Sequence, residues 1–212
     1  DTVQKYIPEF PYSQITIKHL LTHTAGLQNY IWLTERKWKK AEMPKNEDVP
    51  VLFAQSKLNL NFVPGAKFQY SNAAYAMLAL LIEKVTSEHF PDFMHDNIFK
   101  PLQMKHTYIY QPDKDKHHDN RAYGFKRTRR GYIEVADDKL DYVWGDKGVF
   151  STVKDLAIWD QALYNNKLLP KETMEEAYAY ALKNDGSPID YGYGFRLDTF
   201  QNEKLVYHNG WW

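Results

Sequence analysis

The stretch Phe68-Gln69-Tyr70-Ser71-Asn72-Ala73-Ala74-Tyr75-Ala76-Met77-Leu78-Ala79-Leu80-Leu81-Ile82-Glu83-Lys84-Val85 changes character once along its length. Phe68-Gln69-Tyr70 reads as extended chain leaving a Pro64-Gly65 turn. Beyond it, Ala74, Met77, Leu78, Leu81, Ile82 and Val85 recur at steps of three and four and make one apolar helix face. This is the strongest helix signal in the chain. On its N-terminal side, Thr16 is predicted to cap a short helix carrying Ile17, Leu20 and Leu21, with Gly26 as its left-handed stop. Residues 31–60 read as helix and loop. On the other side a helix is expected from Phe90 to Phe99, ended by Pro101. Residues 111–141 are polar and read as an irregular excursion.

Thr152 and Asp155 make a capping pair for a helix with Leu156, Trp159 and Leu163. Pro170 opens another, through Met174 to about Leu182. Asn184-Asp185-Gly186-Ser187-Pro188 is a turn. Tyr191–Leu197 and Lys204–Trp212 then alternate as strands joined near Gln201-Asn202. Helices come first and an antiparallel pair last, so a mainly helical α+β chain is expected. Its division would be 1–190 as a mostly helical lobe and 191–212 as the start of an antiparallel sheet.

Composition narrows the functional classes. Lys and Arg number 27, as do Asp and Glu, so net charge offers no electrostatic reason for nucleic acid or an anionic membrane as partner. Sixteen Tyr, 11 Phe and 6 Trp argue against disorder. The chain has no cysteine, which excludes disulfides, thiolate zinc sites and a cysteine nucleophile. No apolar run of about 18 residues is present, so no transmembrane helix is expected. The chain starts at Asp1-Thr2-Val3 and stops at Gly210-Trp211-Trp212 within a predicted strand, so a fragment of a longer protein is expected. The lack of a visible signal peptide therefore leaves localisation open.

Two short segments can carry chemistry. Tyr70 and Asn72 are two apart where an extended segment becomes a helix, so both can point into one cleft. A tyrosine is a poor base at its free pKa of about 10 and needs a cation beside it to act as one. An asparagine offers a donor and an acceptor, which suits an amide substrate. The second segment, Tyr207-His208-Asn209-Gly210-Trp211, places a hydrogen-bonding or cationic side chain next to a glycine that allows close backbone approach. Each has a plain alternative: Tyr70 packs while Asn72 caps the helix, and His208 is a surface residue on a hairpin.

Five segments, in order, resemble one family. Ile15-Thr16-Ile17-Lys18-His19-Leu20-Leu21-Thr22-His23-Thr24-Ala25-Gly26-Leu27 is similar to its "ITIRHLLTHTSGL" segment. Phe62-Val63-Pro64-Gly65 leading to Tyr70-Ser71-Asn72 resembles "F-x-PG…YSN", and Pro101-Leu102-Gln103-Met104 with Thr107 resembles "PLGM…T". Gly148-Val149-Phe150-Ser151-Thr152 with Asp155-Leu156 and Trp159 resembles "G-x-x-ST-x-x-DL-x-x-W". His208-Asn209-Gly210 falls where the third motif, Lys/His-x-Gly, is expected. The family is that of class C β-lactamases, DD-peptidases and related esterases and D-aminopeptidases.

The resemblance implies a helical lobe beside an antiparallel sheet, with the site between them. It implies a serine hydrolase working through an acyl-enzyme on a β-lactam, a D-amino-acid peptide or a small ester, with no cofactor. Tyr70 would be general base or proton relay. Asn72 would bind the substrate amide and contact the nucleophile's lysine, and His208 would be the third-motif cation. Asn209, Gly210 and Trp211 would line the substrate, the Trp211 N–H forming half of an oxyanion hole. A bacterial periplasmic or secreted location would follow. His in place of Lys, and Asn209 where Thr or Ser is usual, lean away from β-lactams toward a peptidase or esterase. The rival from another class is a non-catalytic binding or sensor protein of the same fold.

The family's Ser-x-x-K precedes its "ITIRHLLTHTSGL" segment, and here that region would precede Asp1. One such string does occur, Ser151-Thr152-Val153-Lys154, but it follows Tyr70, coincides with a different family segment and is sufficiently read as a capped helix start. No metal site is expected: His19 and His23 have i,i+4 spacing but lack a third ligand. His117-His118-Asp119 and the basic run Lys126–Arg130 read as solvated loop, and Trp144, Phe150 and Trp159 as core.

Overall fold

The computed structural model describes residues 1–115, 120–135 and 138–210. Its centre is α4 (Asn72–Thr86), which Ser71 caps by accepting from the Ala74 N–H and which ends at Ser87 in the left-handed conformation. The buried side of α4 is Ala73, Ala74, Ala76, Met77, Ala79 and Leu80. The predicted stripe is therefore rotated toward the alanines, and Val85 at its far end is 57% exposed. Small side chains let other segments approach closely, and three helices use that face. They are α1 (Ile17–Leu21), α2 (Tyr30–Lys37) and α3 (Asp48–Ser56). With the N-terminal segment they bury Val3, Ile7, Phe10, Ile15, Leu20, Tyr30, Phe53 and Met77 in one core. Phe53 is fully buried, and truncating such a ring to alanine costs roughly 3–5 kcal/mol.

A smaller core forms beside it, from Phe90, Phe99, Leu102, Met104, Ile109, Trp144 and Ala162. It is built by α5 (Phe90–Met94), which continues as a π-helical turn His95–Phe99, and by β1 (Tyr108–Ile109). A short α6 (Pro112–Asp115) follows. The 111–141 region is not wholly irregular. Phe125–Thr128 (β2) and Gly131–Glu134 (β3) pair as an antiparallel hairpin whose side chains are almost all exposed, so no apolar alternation announces it. The basic run falls on that hairpin, while His117-His118-Asp119 lie outside the described residues.

β4 (Val149–Phe150) pairs with β1 and leads into α7 (Val153–Tyr164). Trp144 is buried and Trp159 packs against the second core, but Phe150 instead stacks on Tyr108 at 5.5 Å. α8 (Lys171–Ala177) is shorter than predicted, because Ala181–Leu182 (β5) turns back on Pro188–Ile189 (β6) through the predicted turn. The last pair is β7 (Arg196–Phe200) with β8 (Glu203–Tyr207). Gln201 and Asn202 join them with φ of 51° and 65°, the two-residue turn that matches strand twist.

The stop of α1 is also reassigned. Thr16 caps it as predicted, in a capping box completed by His19, but the first left-handed residue after it is His23, at φ 54°, and not Gly26. His23 thus lies beyond the helix, and the i,i+4 face imagined for His19 and His23 does not exist. Among the described residues, no helix is long and apolar enough to cross a membrane.

Candidate active site

Tyr70 and Asn72 flank the cap of α4, so helix and extended segment together fix where they point. A cavity of about 640 Å³ opens there, lined by Tyr70, Asn72, Tyr75, Gly145, Asp146, Lys147, Gly148, Val149, Tyr191, Gly194, Arg196, His208, Asn209 and Gly210. Five of the six residues singled out from sequence, Tyr70, Asn72, His208, Asn209 and Gly210, share this wall. Trp211 lies outside the described residues. Among the described residues that line it, none is Ser, Thr or Cys. A second cavity of about 580 Å³, with Leu27, Trp32, Arg36 and Lys37 in its lining, meets the first across Tyr70 and Asn72.

One side of the main cavity is a neutral stack. Tyr70 is 43% exposed and lies over the buried ring of His23, centroids 4.2 Å apart. His23 also packs on Tyr75 and Tyr191, each at 4.9 Å. Its Nδ1 accepts from the Ser71 N–H at 3.1 Å, and its Nε2 lies 3.1 Å from the Tyr191 hydroxyl. Burial, with His208 and Arg196 nearby, holds the His23 pKa down to about 3, so the ring is neutral near pH 7. Tyr191 in turn lies 3.0 Å from Nε2 of His208. The Tyr70 hydroxyl is pushed above its usual value by burial and by Asp146, with Arg196 opposing. As it stands here Tyr70 is a proton donor; acting as a base would require a further cation against it.

The other side is ionic. Gly145 crosses α4 so closely that a Cβ there would collide with the Tyr75 carbonyl and the Ala79 side chain, and its φ of 101° also favours glycine. Asn46 pins the same loop. Its Nδ2 donates to the Ala76 and Trp144 carbonyls, both at 2.8 Å, and its Oδ1 accepts from the Trp144 N–H at 2.9 Å. The next two residues, Asp146 and Lys147, have side chains only 1% and 8% exposed and pair at 3.5 Å. Tyr30 donates to Asp146 at 2.9 Å and accepts from Lys147 at 2.8 Å. Burial raises the Asp146 pKa, and Lys147 and the Tyr30 hydrogen bond oppose it.

Ser151 is not in this cavity. It donates to Thr107 Oγ1 at 2.8 Å, and Thr107 donates to the buried Asp155 at 2.8 Å. Asp155 also accepts from the His106 N–H at 2.7 Å, and Thr152 is the cap of α7. The residues that sequence reading missed are His23, Tyr75, Asp146, Lys147, Tyr191 and Arg196. The glycine-flanked Gly145-Asp146-Lys147-Gly148 and Tyr191-Gly192-Tyr193-Gly194 segments were a usable signal, since glycines next to polar side chains mark close backbone approach.

A family model described as Beta-lactamase matches residues 1–212. Penicillin-binding protein 4* of Bacillus subtilis (strain 168) is 33% identical over 226 residues, covering 100% of this chain and 49% of its own length. The chain thus spans about half the length of that curated relative. Among solved structures, the octameric penicillin-binding protein homologue from Pyrococcus abyssi superimposes with a TM-score of 0.77 at 24% identity, over 97% of this chain and 49% of that one. A D-stereospecific amidohydrolase from Streptomyces sp. gives 0.76 at 20% identity, over 98% and 66%. These two likenesses establish the fold, a β-lactamase/transpeptidase-like arrangement of helices and short antiparallel sheets. On the match across its whole length, the chain belongs to the Beta-lactamase family of serine hydrolases.

Proposed function

We propose that this chain carries the receiving half of an acyl-transfer site, and that the nucleophilic serine reaches the cavity from polypeptide outside these 212 residues. The observation that carries this reading is a cavity that brings Tyr70, Asn72 and His208 together, with no Ser, Thr or Cys among the described residues of its wall. Tyr70 serves as proton relay once the nucleophile's own lysine stands beside it and lowers its pKa. Asn72, with its donor and acceptor, holds the substrate amide and that lysine. His208 supports the developing charge, and Asn209 and Gly210 line the substrate beside it. The substrate is an amide or ester of peptidase or esterase type. The name of the D-stereospecific amidohydrolase from Streptomyces sp. agrees with an amide substrate.

The test is to label the full-length protein with a fluorophosphonate or a fluorescent penicillin and map the modified residue. Attachment to a Ser-x-x-K serine outside residues 1–212 is expected. Attachment to Ser151, or turnover of nitrocefin or a p-nitrophenyl ester by the 212-residue chain that is lost in Ser151→Ala, would overturn the proposal. Absence of any labelling would overturn the hydrolase reading in favour of a non-catalytic binding or sensor protein.

A further inference from the structure

The hydrogen bonds behind His208 can be given a direction from chemistry alone. The Ser71 N–H can only donate, so His23 Nδ1 is an acceptor. The neutral His23 ring therefore carries its proton on Nε2 and donates it to the Tyr191 hydroxyl. At the far end, His208 Nδ1 lies 2.7 Å from the Asn209 carbonyl, which can only accept, so His208 carries a proton on Nδ1. The neutral His208 ring then presents a bare Nε2, and Tyr191 donates to it at 3.0 Å. The Tyr75 hydroxyl is engaged elsewhere, donating to the Leu21 carbonyl at 3.0 Å. The protons along the His23–Tyr191–His208 path are thereby placed.

We propose that His23 and Tyr191 form a hydrogen-bonded strut that holds the His208 ring, and its Nδ1–H tautomer, in place beside Tyr70. Both are positioning residues. Tyr191 is suited to this because its hydroxyl can meet His208 in either charge state. It donates to the bare Nε2 of the neutral ring. When Nε2 carries a proton, the Tyr191 oxygen can accept instead. The titratable and charged groups around this end of the cavity are Tyr70, Tyr75, Tyr191, His23 and Arg196. His23 is itself locked by its position: it is buried, left-handed at φ 54°, and stacked between aromatic rings. The inference rests on the assignment of His208 to the reacting site.

The experiment is ¹⁵N NMR of the histidine side chains in the full-length protein. Neutral His208 is expected as the Nδ1–H tautomer and His23 as the Nε2–H tautomer. Tyr191→Phe keeps the buried ring, removes only the hydroxyl, and is expected to shift His208 toward Nε2–H. In turnover assays the same variant is expected to lower kcat by roughly 10- to 100-fold with little change in KM, the signature of a displaced reacting group. A wild-type His208 found as Nε2–H, or a tautomer ratio unmoved by Tyr191→Phe, would overturn the strut. If Tyr191→Phe fails to fold, the wild-type tautomers decide alone. The NMR result does not depend on hydrolysis, and covalent labelling does not depend on the strut, so each proposal fails separately.

Discussion

Two helix starts in this chain look alike in sequence and differ in what they leave available. At α4, Tyr70 and Asn72 flank the Ser71 cap and line a cavity. At α7, Ser151 and Asp155 flank the Thr152 cap and are consumed by Thr107 and His106. Both segments pass from extended chain into a capped helix, and both carry a serine. The lesson is that a reactive-looking hydroxyl matters only when its hydrogen-bonding capacity is not already spent on holding the fold. Ser151 is spent, and Tyr70 is not.

The sharpest way to break this comparison is by activity. Tyr70→Phe in the full-length protein is expected to lower kcat by roughly 10²–10⁴-fold, the range of general acid–base catalysis. Ser151→Ala should leave kcat within about twofold, because its lost hydrogen bond is a structural one. Steady-state kinetics on both variants decides, and a reversed ranking would exchange the roles of the two helix starts.

A smaller effect concerns acid. The folded pKa of His23, about 3, lies below its ordinary 6.5, so the unfolded chain takes up this proton first as pH falls. The contribution is whole above pH 6.5 and is lost progressively between 6.5 and about 3. Its slope is at most roughly 1.4 kcal/mol per pH unit. His23→Asn, which tolerates the left-handed backbone, should flatten urea-unfolding stability across that window relative to wild type. An equal slope in both would remove His23 as the source.

At α7 the buried carboxylate carries the stability. Asp155→Ala orphans the Thr107 hydroxyl and the His106 N–H and is expected to cost about 1–3 kcal/mol in chemical denaturation. The smallest effects are the caps themselves. Ser71→Ala and Thr152→Ala should each cost about 1 kcal/mol, but only Ser71→Ala should also reduce turnover, since it alone lies between two cavity residues.

Much of the helical framework was legible because it obeys local rules. Thr16 and Thr152 cap where expected, α4 forms where its period called for a helix although the buried face is rotated toward the alanines, and Gln201-Asn202 turns the final hairpin. The misreadings share a cause. β2 and β3 carry exposed side chains, so no alternation marks them. Ala181–Leu182 was absorbed into α8 because Ala and Leu are good helix formers, and only pairing with Pro188–Ile189 makes them strand. The site divides the same way: Tyr70, Asn72 and His208 stand in short recognisable segments, whereas His23 and Tyr191 are 168 positions apart and no local pattern joins them.

Sequence alone determined the capped starts at Thr16, Ser71 and Thr152, the closing hairpin and the family, because caps, periods and motif order are properties of neighbouring residues. Only the tertiary structure decided the company those residues keep. The neutral imidazole under Tyr70, the Asp146–Lys147–Tyr30 cluster across the cavity and the tyrosine behind His208 are contacts between distant segments. Burial and hydrogen-bond direction, which set their protonation, exist only once the chain has folded.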